Sequence, residues 1–460
     1  MYDLAILGGG PGGYVAAQRA ASTGLSVVLF EKKELGGVCL NEGCIPTKTL
    51  LYSAKVYDYA RHGEAYGIQV EGAQVSYEAL LKRKQKVVKK LVGGVRVQLR
   101  DAGAEVVKGE ALITGKTAEG VIGINCNDTL YEAHNLLIST GSEAAVPPIP
   151  GLREGLGDTV LTNREILALT EPPQSLVVIG GGVIGMEFAS FFHSIGTQVT
   201  VVEMLPKILG PLDNEISAML QAQYAKKGVT FHLSCKVTAV EGNEVVFETP
   251  EGEVCRAYGD KILVSVGRRA SFQGIGLESL GVELALNPAG RPYGIKVDEK
   301  MRTNVPGVYA AGDVTGFSML AHTASREAEV VVNNLLGKED RMHYNAIPGV
   351  VYTNPEVAGV GVTEEEAQKQ GISFSVKKLP MAFSGRFVAE NERGEGLCKL
   401  ILDKDGRIIG AHMLGNPCSE IIQSACMAIE KGMTAEELTR VVFPHPTVSE
   451  ILKETAHAGH

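Results

Sequence analysis

The sequence predicts an α/β protein with two glycine-hinged βαβ units and a C-terminal α+β domain. Three observations carry that expectation. A glycine cluster follows a short apolar run at the N-terminus, the same arrangement recurs 172 residues later, and the last quarter runs from β-rich segments into a helical one.

The first unit opens on Leu4-Ala5-Ile6-Leu7, an apolar run of strand length, and passes into Gly8-Gly9-Gly10-Pro11-Gly12-Gly13. The Ala-rich stretch Tyr14–Ala21 suits a helix, which Gly24 ends, and Ser26–Phe30 reads as a second strand closed by Glu31. Gly8, Gly10 and Gly13 therefore spell G-x-G-x-x-G in a Rossmann-like context. The glycines permit a tight turn, close backbone approach to a pyrophosphate and helix–strand packing, while the acid at the second strand end receives ribose hydroxyls. Taken alone, such a cluster also reads as an ordinary glycine-rich turn.

Recurrence weakens that bland reading. Leu176–Ile179 leads into Gly180, Gly182 and Gly185, a helix to Ser194, Gly196, and a strand Gln198–Val202 that ends at Glu203. Gly8 to Gly180, Gly24 to Gly196 and Glu31 to Glu203 all differ by 172. Two matched units imply two dinucleotides, and a flavin and a nicotinamide can serve one site. If the second unit holds the nicotinamide nucleotide, Glu203 favours NAD, because a carboxylate accepts ribose hydroxyls and repels a 2′-phosphate. No arginine lies between Val199 and Leu209 to reverse that preference.

Composition bounds the remaining possibilities. A chain of 460 residues accommodates about three domains. Hydrophobic residues at 45% and charged residues at 21% describe a globular protein, not a disordered one. The net charge of −9 disfavours nonspecific nucleic-acid binding. No apolar stretch reaches the roughly 20 residues of a membrane span, and the N-terminus has no basic, signal-like start, so a cytoplasmic protein is expected. Of eight cysteines, six (Cys126, Cys235, Cys255, Cys398, Cys418 and Cys426) are scattered without C-x-x-C spacing. They read as buried structural thiols, and no metal site is expected.

Cys39 and Cys44 differ. They fall in Gly36-Gly37-Val38-Cys39-Leu40-Asn41-Glu42-Gly43-Cys44-Ile45-Pro46-Thr47-Lys48, ahead of helix-prone residues, which suggests the N-terminal end of a helix. Unpaired N–H groups and the helix dipole there favour a thiolate. Two such thiols about a turn apart can close a reducible disulfide, although this spacing alone also suits metal ligands or bystanders.

This segment strongly resembles the redox-active motif of the pyridine nucleotide–disulfide oxidoreductases. The resemblance implies Cys39 as the interchange thiol, Cys44 as the thiol beside the flavin, Lys48 near the flavin ring and Glu187 as its acidic partner. Without the resemblance, Lys48 and Glu187 would read as solvated helix charges. Ser139-Thr140-Gly141-Ser142 and Val264-Ser265-Val266-Gly267-Arg268 resemble the family's two strand-ending motifs, with Thr140, Gly141 and Gly267 against the cofactors. Thr303 with Val308–Asp313 resembles its second flavin motif, Gly312 and Asp313 facing the ribitol, though Gly312-Asp313 also suits a hairpin turn. Leu320, Ala321 and His322 match a helix start that faces the flavin.

Near the C-terminus, Pro444–Glu450 resembles the family's base motif. His445 would exchange substrate thiol protons, Glu450 would orient its ring, and a cis His445–Pro446 bond is implied. The local alternative is a capping box, Thr447-x-x-Glu450, before Ile451-Leu452. Phe443-Pro444 departs from the His-Ala that many lipoamide members carry.

The expected domains are a flavin domain over 1–143, an NAD domain over 144–267, a segment returning to the flavin domain over 268–338 and a C-terminal dimerisation domain over 339–460. Within the family, Glu203, the absence of cysteine after Cys426 and the run Gly43–Lys48 resemble the lipoamide branch. That branch implies FAD and NAD as cofactors, a homodimer, and a lipoyl-bearing protein as substrate: an E2 acyltransferase or a glycine-cleavage H protein.

Overall fold

The computed structural model describes residues 1–391 and 394–459. Two compact units divide the chain, each assembled from separated segments.

The first comprises Met1–Thr49, Glu78–Ala145 and Gly267–His343. Its central strand, Tyr2–Leu7, lies parallel between Val27–Glu31 and Thr129–Ile138. Leu4 to Leu7 are all at most 2% exposed, which is why the strand reads as a continuous apolar run and not as an alternation. Glu105–Lys108 extends the sheet on one side. On the other, Thr129–Ile138 divides its length: its end pairs in parallel with Val308–Ala310, and its start pairs antiparallel with Ile122–Cys126, which pairs with Ala111–Lys116. Residues from nearly the whole unit, including Ala5, Phe30, Ile124, Ile138 and Val308, share one apolar core. The helices Pro11–Ser22 and Ala321–Leu335 pack against each other.

The second unit comprises Leu50–Tyr77, Val146–Val266 and Tyr344–His460. Its nucleotide-type half is a parallel sheet in the order Thr230–His232, Gln198–Val202, Ser175–Ile179, Lys261–Val264, Val160–Leu161, with a three-stranded antiparallel sheet over 236–258. The C-terminal half is the α+β arrangement expected. An antiparallel sheet ordered Gly349–Val351, Val357–Gly361, Ile408–Leu414, Leu397–Asp403, Phe374–Pro380 carries helices Cys418–Glu430, Ala435–Thr439 and Glu450–His457. The halves are tied by a buried ion cluster. Lys399, 2% exposed, reaches Asp213 at 3.0 Å and Glu215 at 2.9 Å, and also bonds Glu364. Asp213 in turn caps the helix Asn214–Lys227.

Five of the six scattered cysteines are buried as expected; Cys255 is a correction, only partly buried on an edge strand, where it packs against the core from the strand's inner face. Burial pushes Cys398 up to about 12 and Cys426 to about 11, so both remain inert thiols at neutral pH.

Candidate active site

The two glycine clusters fold alike. Gly8 and Gly180 have φ of +99° and +101°. A Cβ on Gly8 would sit 2.3 Å from the Ser139 carbonyl oxygen, and one on Gly180 would sit 2.3 Å from that of Ser265. Gly13 and Gly185 are excluded from bearing a side chain by the carbonyls of Gly8 and Gly180, at 1.8 and 2.1 Å. Gly10 and Gly182 are the N-caps of Pro11–Ser22 and Val183–Ser194 and offer no capping side chain. Both helix N-termini are therefore open backbone cradles, as a pyrophosphate requires. The acids close each cradle equivalently. Glu31 accepts the Gly9 N–H at 2.8 Å, and Glu203 accepts that of Gly181 at 2.6 Å. Second oxygens of the same carboxylates accept Lys33 N–H and Leu205 N–H, both at 2.7 Å.

The redox segment packs on the first cradle. Gly36 N–H donates to the Gly9 carbonyl at 2.8 Å, and a Cβ on Gly37 would lie 2.7 Å from the Gly10 Cα. The cysteines do not share one helix, as their spacing had suggested. Gly37–Glu42 is a short helix containing Cys39; Gly43, at φ −148° and ψ −110°, breaks it, and Cys44 begins the 18-residue helix Cys44–Arg61. Only Cys44 thus has the N-terminal position of a long helix. Both are free thiols here, and the Cys39 thiol is held in a hydrogen bond with Cys44. That bond, with burial, pushes Cys39 well above an ordinary thiol, against smaller downward pulls from Lys48, one turn beyond Cys44, and from the Cys44 N–H that bonds the Cys39 sulfur. Cys39 therefore keeps its proton at neutral pH, in its bond with Cys44.

The remaining flavin-type residues of this unit gather around the end of Thr129–Ile138. Thr140 Oγ1 donates to the Ser271 carbonyl at 2.5 Å, and Gly141 and Gly267 adopt φ of +74° and +107°. Gly312 opens a 3₁₀ turn, Gly312–Thr315, after the strand Val308–Ala310; it does not form the hairpin that Gly-Asp also allowed. Asp313 is bonded by the Ser142 hydroxyl, which accepts from Arg268 Nε at 2.7 Å. Leu320 is the N-cap of Ala321–Leu335, so Ala321 and His322 form the expected helix start. Ser142 and Arg268 stood in the two strand-ending motifs without an assigned role, and Glu327 was not singled out from sequence at all. Glu327, fully buried, accepts the Gly312 N–H at 2.6 Å and so holds the turn that carries Asp313. A glutamate in a polar run reads as surface, and only its tertiary burial reveals it. Glu327→Ala leaves that buried N–H unsatisfied and should cost about 1–3 kcal/mol in a urea melt. It should also speed flavin loss on dialysis.

In the second unit, His445 Nδ1–H donates to Glu450 Oε1 at 2.9 Å, and the ring is 79% exposed. With the carboxylate on Nδ1, Nε2 is the proton-accepting nitrogen. The other carboxylate oxygen accepts the Thr447 N–H at 2.8 Å. These two bonds, the backbone one foremost, hold the Glu450 carboxyl below its usual range. The capping box itself does not form: Glu450–His457 starts at Glu450 with Ser449 as N-cap, and the Thr447 hydroxyl donates to the Pro444 carbonyl. The His445–Pro446 bond is cis. Glu187 is 2% exposed and accepts the Tyr352 N–H at 3.1 Å, so it is no solvated helix charge.

Comparison with known proteins agrees with this geometry. Residues 2–328 match the model of the pyridine nucleotide-disulphide oxidoreductases, and 347–456 match that family's dimerisation domain. The chain is 39% identical to the dihydrolipoyl dehydrogenase of Chlorobaculum tepidum, across 99% of this chain and 96% of that one. It is also 39% identical to mitochondrial dihydrolipoyl dehydrogenase 1 of Arabidopsis thaliana, across 100% and 90%. Among solved structures, LpdA of Mycobacterium tuberculosis superposes with a TM-score of 0.89 at 26% identity, covering 99% of each chain. The HOCl-induced flavoprotein disulfide reductase RclA of Escherichia coli superposes at 0.84 with 28% identity, again covering 99% of each. A paired-thiol segment docked on a dinucleotide cradle, a second matching cradle and full-length agreement with the family models together establish that this chain belongs to the pyridine nucleotide–disulfide oxidoreductase family.

Proposed function

We propose that this protein oxidises protein-bound dihydrolipoamide to lipoamide and reduces NAD, acting as the dihydrolipoyl dehydrogenase component of a 2-oxo-acid dehydrogenase or glycine-cleavage system. The observation that carries the proposal is the unequal thiol pair: a protonated Cys39 bonded to Cys44 at a helix N-terminus. Such a pair accepts a dithiol's electrons by forming and breaking its own disulfide.

The first cradle would hold FAD, which would supply two-electron redox chemistry, and the second would hold NAD as the hydride acceptor. The protein's own residues do the rest. His445 Nε2 takes a proton from the substrate dithiol, with Glu450 fixing the ring and stabilising the imidazolium that results. The substrate thiolate attacks Cys39 Sγ of the Cys39–Cys44 disulfide and expels Cys44 as thiolate. The second substrate thiol then attacks the mixed disulfide, releasing lipoamide and returning Cys39 to the thiol form. The Cys44 helix N-terminus stabilises the negative charge it keeps. The family resemblance assigns His445 to the partner subunit's Cys39, so the homodimer is the working form. The exposure of His445 in the isolated chain supports that reading.

Glu203 sets the nicotinamide preference. Glu203→Arg should shift the NAD-to-NADP ratio of kcat/KM toward NADP by about an order of magnitude or more, read from initial rates with each nucleotide. Equal use of NADP by the unaltered protein would remove Glu203 from the ribose.

A further inference from the structure

The helix Tyr77–Ala102 in the first unit plays no part in the site as described, yet its charge is extreme. It carries eight basic and two acidic side chains in a chain of net charge −9, and no acid occurs between Glu78 and Asp101. Lys82, Lys86, Lys89, Lys90, Arg96 and Arg100 are all exposed, and their spacings of 4, 7, 8, 14 and 18 from Lys82 fall on one helical face. That face is about 27 Å long at 1.5 Å per residue. Lys82, Arg96 and Arg100 are paired with Glu78, Glu34 and Asp101. Lys86, Lys89 and Lys90, at its middle, have no partner among the described residues.

A second observation points outward from the same place. Gly93 and Gly94 lie in the helix interior, where glycine weakens a helix relative to alanine. A Cβ at either would meet no atom within 4 Å, so no packing among the described residues requires them. Gly93 lies within the basic face, between Lys90 and Arg96, and leaves its backbone bare for a close approach. The apolar side of the helix is used internally: Val92, Val95 and Leu99 are buried. A bilayer would need a continuous apolar face to insert, and of this helix's large apolar side chains only Leu91 and Val97 remain exposed. The helix is also fastened to the redox segment of its own unit, Arg83 Nη1 donating to the Thr49 carbonyl at 2.8 Å, and Thr49 belongs to the helix that Cys44 begins.

We propose that the Lys82–Arg100 face is the docking surface for an acidic, lipoyl-bearing protein, which it steers so that the dithiol arm reaches Cys39. The inference rests on the function proposed above and names the charge of its partner. Steering of this kind lowers KM and fades with salt, because exposed charges are screened beyond about 8 Å at physiological ionic strength.

The test compares three substrates with NAD: free dihydrolipoamide, dihydrolipoyl-lysine in a peptide flanked by glutamates, and the same peptide flanked by glycines. The acidic peptide should show a KM about tenfold below the neutral one at low salt, converging with it near 0.5 M salt. Charge reversal at Lys86→Glu, Lys89→Glu and Lys90→Glu together should erase the tenfold difference and leave kcat and the rate with free dihydrolipoamide unchanged. Gly93→Gln, which fills open space, should raise the acidic peptide's KM alone. An acidic-peptide preference that survives the triple reversal overturns the docking face. So does salt-sensitive binding of a fluorescent DNA oligonucleotide that the reversal abolishes while the peptide preference persists, since the helix then serves a nucleic acid. No turnover of free dihydrolipoamide by the unaltered protein would instead overturn the proposed function.

Discussion

Cys44→Ser abolishes the long-wavelength charge-transfer absorption of the partly reduced enzyme, whereas Cys39→Ser displays that absorption without any reductant. The expectation follows from where the two sulfurs sit. Cys44 starts a helix of 18 residues and receives the hydrogen bond of its neighbour, both of which favour its anion. Cys39 lies inside a six-residue helix and holds its proton in that bond. Removing Cys39 leaves a lone Cys44 thiol that cannot form a disulfide and so remains available as thiolate. Turnover with dihydrolipoamide should fall on the order of 10³-fold or more in either variant, the scale on which loss of a covalent nucleophile is felt. Absorption spectra of the two purified proteins decide the roles, and a band that survives in Cys44→Ser exchanges them.

His445→Gln should slow dithiol oxidation by about 10²-fold or more while flavin and NAD binding stay intact, because proton transfer is lost and the cradles are untouched. Glu450→Gln should be milder. Its carboxylate spends one oxygen on the ring and the other on the Thr447 N–H, so the amide retains part of the scaffold while losing the charge that favours imidazolium. Stopped-flow reduction by dihydrolipoamide, beside a thermal melt of each variant, separates the effects. Equal stability loss in both with unchanged rates would make Glu450 a helix-end anchor and nothing more.

The parts of this protein that could be read from sequence are those where a local steric rule leaves one solution. Gly8, Gly13, Gly180 and Gly185 abut carbonyl oxygens that forbid a Cβ, and the same rule applied twice produced the 172-residue repeat. The strand runs around them were legible because parallel strands covered on both faces are apolar throughout. The break at Gly43 was not legible, since a glycine between helix-prone residues can be tolerated or can end the helix, and tertiary packing on the first cradle decides. Thr447-x-x-Glu450 forms only half of a capping box: Glu450 accepts the Thr447 N–H, but the Thr447 hydroxyl bonds the Pro444 carbonyl and the helix starts at Glu450. Glu327 and the buried Lys399 cluster were invisible, because ionisable residues read as surface until their partners, distant in sequence, are brought in.

The central claim is that this family member takes electrons from a dithiol and gives them to NAD. The direct measurement is a pair of initial rates from one preparation: NADH formation with dihydrolipoamide and NAD, and NADPH consumption with glutathione disulfide. A dithiol-to-NAD oxidoreductase gives rapid NADH formation and no measurable NADPH consumption. Consumption of NADPH with glutathione disulfide, without NADH formation from dihydrolipoamide, would contradict it.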